Sequence, residues 1–293
     1  TSVGINPDTA TGKLFKIDFN PAPATVGGER ADPATWPAPS VVLDTQRPVL
    51  NAPSVTQDER GNRWVLSGTG RFLATPDRAS TGRQLLFGVI DRPIAEGGTP
   101  PTITALTETT DATVSTSGIV SGLGGGISTE QTLIDAIRGI PGGAAGSGGW
   151  RYQLATGSTG VNGAERVASN TALLDSILFA TGYTPSESLC ADQGSSRLFA
   201  VNFLTGAPRS VRPALSRIVR IGGVDVLEPL ASVSLGQGLA GAPNLFINNP
   251  TATGRGRYTI NLPTTTGAII QRLADDSGKI RSGEIDWRET HPN

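Results

Sequence analysis

Paired acidic residues are the first candidates for chemistry in this chain. Asp58-Glu59, Asp275-Asp276 and Glu284 with Asp286 could serve as general acid and base, as in enzymes that cleave glycosidic bonds between two carboxyls at fixed separation. Their settings point elsewhere. Asp58-Glu59-Arg60-Gly61-Asn62 and Asp275-Asp276-Ser277-Gly278 read as hairpin turns, whose dihedrals suit Asp, Asn and Gly. Glu284 and Asp286 are two apart and share one face of a strand. The one histidine, His291, is third from the end, where chains fray, which argues against a Ser-His-Asp triad or a histidine metal site. The one cysteine, Cys190, follows Leu189 in a loop-like stretch without a neighbouring histidine, so it reads as a free thiol or half of an intermolecular disulfide, not as a nucleophile. Gly-rich runs at 122–126 and 142–149 lack the GxxxxGK[ST] order of a phosphate cradle and read as loops. We therefore expect no catalytic, cofactor-binding or metal-binding residues.

The elements that carry these residues are strands. Of 293 residues, 38 are Gly and 21 Pro, while 37% are hydrophobic and 17% charged; this is turn-rich β composition with too much dispersed apolar content for disorder. A net charge of −1 without a basic stripe argues against nucleic-acid binding. No apolar run is long enough to span a membrane. The chain starts at Thr1 and has no Met, which suggests a processed product or fragment whose export signal lay upstream.

Alternation and turn residues predict strands near 12–19, 40–44, 48–56, 62–67, 70–75 and 83–91, with one or two exposed strands in the Thr-rich segment 102–116. Further strands are expected near 149–155, 165–168, 172–181, 195–204, 217–221, 224–228, 242–248, 256–262 and 267–273. One short helix is expected at 128–138, capped by Ser128 or Thr129, with Leu133, Ile134 and Ile137 on one face. Trp64, Trp150 and Trp287 stand at strand ends as packing anchors, and Trp36, in the Pro-rich loop 33–39, is the aromatic expected at a surface contact.

The strands repeat. Thr69-Gly70 is followed 17 residues later by Leu86-Phe87, and Thr181-Gly182 is followed 17 residues later by Leu198-Phe199. A third such word is Leu14-Phe15-Lys16-Ile17. Spacings between the Leu-Phe words are 72 and 112 residues, and leaving out a Gly-rich insertion at about 118–149 makes them nearly uniform. A strand pair cannot bury both faces alone, so its repetition implies stacked sheets, most simply a β-propeller. At this unit length, 1–293 forms a single all-β domain: a modified, partial propeller of about four blades of long-looped antiparallel sheets, completed by another chain or an upstream segment. Gly68, Thr69, Gly70, Phe87, Trp150, Thr181, Gly182, Phe199 and Trp287 are its expected blade residues.

Residues 64–73 (Trp-Val-Leu-Ser-Gly-Thr-Gly-Arg-Phe-Leu), then Gln84-Leu85-Leu86-Phe87-Gly88-Val89-Ile90-Asp91, Gly149-Trp150-Arg151-Tyr152-Gln153-Leu154, Gly236-Gln237-Gly238-Leu239 and Asp286-Trp287-Arg288-Glu289 resemble, in order, the C-terminal β-propeller region of the PilC/PilY type IV pilus tip proteins. The resemblance implies an exported, non-enzymatic protein at the pilus tip. It also implies roles in adhesion and pilus assembly, with minor pilins or other pilus proteins as partners. The family often carries an Asp-rich calcium loop ahead of the strand matching 12–19, but Asn6-Pro7-Asp8-Thr9-Ala10 is too poor in carboxylates to cage calcium. Alternatives sharing the fold are a propeller enzyme, either a quinone-dependent dehydrogenase or a carbohydrate-active one, and a scaffold on another extracellular filament.

Overall fold

The computed structural model describes residues 11–17, 38–92, 99–188, 193–248, 257–267 and 269–275. Strands β1 (Lys13–Lys16) and β2 (Ser40–Asp44) form an antiparallel pair. A meander of β3 (Ser54–Gln57), β4 (Arg63–Gly68) and β5 (Leu85–Ile90) follows. Then come β6 (Thr107–Glu108), the short hairpin of β7 (Thr113–Val114) and β8 (Val120–Ser121), the helix α1 (Glu130–Arg138), and β9 (Gly149–Gln153). The second sheet has the order β3-β4-β5-β9-β6, and β6 runs parallel to β9.

The third sheet is built from β10 (Arg166–Val167), β11 (Ala172–Leu174), β12 (Ile177–Thr184) and β13 (Ser195–Asn202). A ribbon of β14 (Ser216–Ile221) and β15 (Val224–Pro229) interrupts it before β16 (Ser232–Gln237) completes the order β10-β12-β13-β16, with β11 also on β12. The chain continues into β17 (Asn244–Asn248), β18 (Arg257–Pro263) and β19 (Ile269–Asp275), a three-stranded antiparallel sheet.

These sheets share three cores in chain order. Val42 and Leu43 of β2 pack with Val65, Leu85, Phe87 and Val89 of the second sheet. The opposite face of that sheet, including Trp64, Leu66, Leu86 and Trp150, packs with Leu178, Ala180, Phe199 and Val201 of the third. The other face of the third sheet, including Phe179, Leu198 and Ala200, packs with Tyr258, Ile260 and Leu262. Strand β5 is buried at every position because its period of two sends alternate residues into two different cores. The all-β expectation is met.

Local chemistry explains the boundaries. Asp175 and Ser176 both have positive φ, 50° and 66°, as in the two-residue turn of a tight hairpin, so the strand expected at 172–181 divides into β11 and β12. No strand forms at 70–75. The Asp77 carboxylate there accepts from the Leu73 and Ala74 amides at 2.8 and 3.0 Å and pairs with Arg71 at 2.9 Å, which favours a single 3-10 turn at Thr75–Arg78 over a ladder. Residues 48–56 yield only β3 and a bridge from Val49 to Gly70. The Thr-rich segment forms two short strands that are half-buried: Ile103, Leu106, Thr109 and Val114 are buried, while Thr104, Thr113 and Thr116 are exposed. Strand β16 was not expected, its alternation being obscured by Ser and Gly. The helix is capped by Thr129, whose hydroxyl accepts from the Thr132 amide at 3.1 Å, and it buries Leu133 and Ile137 in the central core.

Gly70 has φ +150°, and an added Cβ would stand 2.6 Å from Arg166 Cβ. Gly70→Ala is expected to destabilise the protein by about 2 kcal/mol, from strain and overpacking together. Thermal unfolding that matches the parent would refute this.

Candidate functional site

The repeated Thr-Gly words join one sheet to the next. The Thr69 hydroxyl donates to Gln84 Oε1 at 2.9 Å and accepts from the Leu85 amide at 2.8 Å. Its carbonyl accepts from the Val167 amide of β10 at 3.1 Å. Gly68 lies so close that an added Cβ would meet Val167 Cγ2 at 2.2 Å. In the second copy the Thr181 hydroxyl donates to Gly241 O at 3.2 Å, in the segment leading into β17. At Gly182 an added Cβ would strike Glu165 and Phe199. Phe87, Trp150 and Phe199 are fully buried. Trp36, Cys190, Trp287, His291, Asp276, Glu284 and Asp286 lie outside the described residues.

Of the carboxylates that the sequence offers as acids and bases, Asp58 holds a turn, Glu59 pairs with Arg138 at 2.5 Å, and Asp275 ends strand β19 rather than entering a hairpin turn. Asp58 accepts from the Arg60 and Asn62 amides, from Asn62 Nδ2 and from Trp64 Nε1, and pairs with Arg138 at 3.4 Å. Among the described residues, no cluster of three or more His, Cys, Asp or Glu side chains could hold a metal ion. Also among them, no helix is long and apolar enough to cross a membrane.

Glu165 belongs to the word Glu165-Arg166-Val167, but the sequence assigns it no site role, since burial of a glutamate leaves no local signal. It is buried at 1% exposure, 3.1 Å from Arg197 Nε, and its other oxygen accepts from the Ala155 amide at 3.1 Å. Burial pushes its carboxyl above the usual glutamate range, and Arg197 and the Ala155 amide offset this only in part. A raised folded-state value means that the stabilising contribution is complete below the unfolded pKa and is lost as pH rises through the folded one. Glu165→Gln removes that loss, so its stability relative to the parent should improve from pH 4 to pH 7. Melting temperatures measured at both pH values test this, and a pH-independent difference would refute it.

Several exposed apolar residues cluster on the β14–β15 ribbon. Its sequence alternates around Gly222-Gly223, both with positive φ of 59° and 86°, as a tight hairpin requires. The exposed pairs Arg217–Glu228 and Arg220–Asp225 lie directly opposite each other in the register that the turn sets. Leu215 and Leu230, at its base, belong to the core between the third sheet and the last. Yet Ile218 is 72% exposed on one face, and Ile221 and Val224 are 63% and 64% exposed on the other. Between the ribbon and β7–β8 runs a groove of about 440 Å³, lined by Val114, Ile119, Val219, Val226 and several Ser and Thr hydroxyls. An apolar face rimmed by hydroxyls and charges suits protein contact.

This is the surface of an all-β protein of serially packed sheets, with a cluster of exposed apolar groups on a connecting ribbon. The chain is 26% identical over 239 residues to a type IV pilus biogenesis factor PilY1 homolog from Xylella fastidiosa, an alignment that covers 78% of this chain and 16% of that protein. It thus spans about a sixth of the length of the curated relative it matches. No family model and no solved structure matches it.

Proposed function

We propose that this chain is a segment of a non-enzymatic, extracellular factor of the type IV pilus tip that engages minor pilins or surfaces through loops and ribbons between its sheets. The observation that carries the reading is the similarity to a pilus biogenesis factor along 78% of the chain. The sheets, packed serially through shared cores, are consistent with a partial β-propeller of about four blades in which 1–293 acts as one domain. The β14–β15 ribbon is the favoured contact, because its apolar residues lie exposed on both faces where burial would contribute binding energy.

The test is made in the full-length protein in its own host. Ile218, Ile221 and Val224 are replaced together by serine, and surface pili and co-purifying minor pilins are counted. Loss of pilin capture at unchanged protein level is expected. Unchanged piliation after removal of the whole segment would overturn the proposal. So would quinone or haem absorbance in the natively purified protein, which would favour the enzyme alternative.

A further inference from the structure

The Leu-Phe words occupy matching places in two sheets. In β5, Leu86 enters the core shared with the following sheet, and Phe87 enters the core shared with the preceding one. In β13, Leu198 again faces the following sheet and Phe199 the preceding one. Tyr152 of the preceding sheet meets Phe199 edge-on at 5.7 Å. Each of these strands is flanked by an earlier strand on one side (β4 or β12) and a later one on the other (β9 or β16). Leu245-Phe246 does not follow this rule: it lies in the edge strand β17, with Leu245 against the preceding sheet.

Strand β1 carries the same word with half of its surroundings. Leu14 packs on the core shared with the following sheet, and β2 pairs with β1 as β9 and β16 pair with β5 and β13. The β1–β2 pairing is antiparallel, as are β5–β9 and β13–β16. However, Phe15 is 58% exposed and Ile17 44%, against 0% for Phe87 and Phe199. Among the described residues no strand pairs with the other edge of β1.

We infer that β1 is the third strand of an incomplete sheet, and that polypeptide preceding this segment in the longer protein completes it. A strand in the place of β4 and β12 would pair along the free edge of β1, and the sheet before it would cover Phe15 and Ile17. A preceding segment of the same chain is favoured over a second copy because β4 and β12 each come directly before their partner in sequence. The matched relative, of which this chain covers 16%, has ample length for such a segment. An open edge with an apolar face otherwise invites aggregation. The inference rests on the stacked-sheet part of the proposal above, and not on the pilus partner.

Amide hydrogen exchange of residues 13–17 is measured in the 293-residue chain and in the longer protein, with β5 and β13 as internal standards. The β1 amides are expected to exchange about 100-fold more slowly in the longer protein, approaching the standards. Phe15→Ser with Ile17→Ser should lower the melting temperature of the longer protein and leave that of the 293-residue chain unchanged. Equal fast exchange in both proteins would overturn the inference. Protection that arises in the shorter chain only with concentration, together with sedimentation as a dimer, would overturn it in favour of a second copy. Because exchange reads only this edge, either failure leaves the piliation test standing on its own.

Discussion

Trp150→Ala is expected to lower the unfolding free energy by about 4 kcal/mol, a loss of the size found when large buried aromatics are truncated. The indole is fully buried in the core between the second and third sheets, and its Nε1 donates to Phe203 O at 2.6 Å. Two glycines clamp the ring. An added Cβ at Gly206 would stand 2.3 Å from Trp150 Cε3, and one at Gly88 would stand 2.6 Å from Nε1. Neighbours held this closely by backbone cannot collapse into the space, so the cavity persists. The mutation also strands the Phe203 carbonyl, which adds the desolvation cost of an unpaired buried acceptor. Trp150→Phe retains most of the ring and should cost about half as much. Urea unfolding followed by far-ultraviolet circular dichroism measures both. A loss under about 1 kcal/mol for alanine would show that the two sheets do not depend on this contact.

Asp58→Ala is expected to be the next most damaging change, at about 3 kcal/mol. The substitution leaves the Trp64 indole N–H, the Asn62 side chain and two turn amides without their acceptor. It also leaves Arg138, whose side chain is 5% exposed, with Glu59 as its remaining carboxylate. The parent should carry a matching pH signature. Burial raises the Asp58 carboxyl, but the hydrogen bonds from Asn62, Trp64 and the backbone outweigh it and hold the group below the usual aspartate range. Because the folded value lies below the unfolded one, this contribution is complete above roughly pH 4 and is lost as pH falls through the folded value. The gap between the parent and Asp58→Ala should therefore narrow on acidification below pH 4. A gap that stays constant to pH 2 would mean that the carboxylate charge contributes nothing to the turn.

Alternation of apolar residues together with Gly, Asp and Asn turns was enough to locate most strands. The spans 40–44 and 224–228 coincide with β2 and β15 almost residue for residue, and of the two caps that the sequence offers, Ser128 and Thr129, the helix uses Thr129. Two of the failures share one cause. At 70–75 the local pattern is apolar, yet an aspartate further along, Asp77, captures the backbone amides. At 102–116 the threonines look solvated, but Ile103 packs into the core beside β2 and Thr109 is buried with its hydroxyl on the Arg151 carbonyl. In each case a partner several residues or a whole sheet away reversed a local preference.

From its own order of residues the chain determined an all-β architecture, its repeat, and the burial of Phe87, Trp150 and Phe199, because period and turn chemistry are local properties. Which face of each strand meets which sheet, the burial of Glu165 beside Arg197, and the exposure of Phe15 and the β14–β15 ribbon were decided only by tertiary structure. Burial is set by what lies opposite, and a sequence read along its length carries no record of its neighbours across a core.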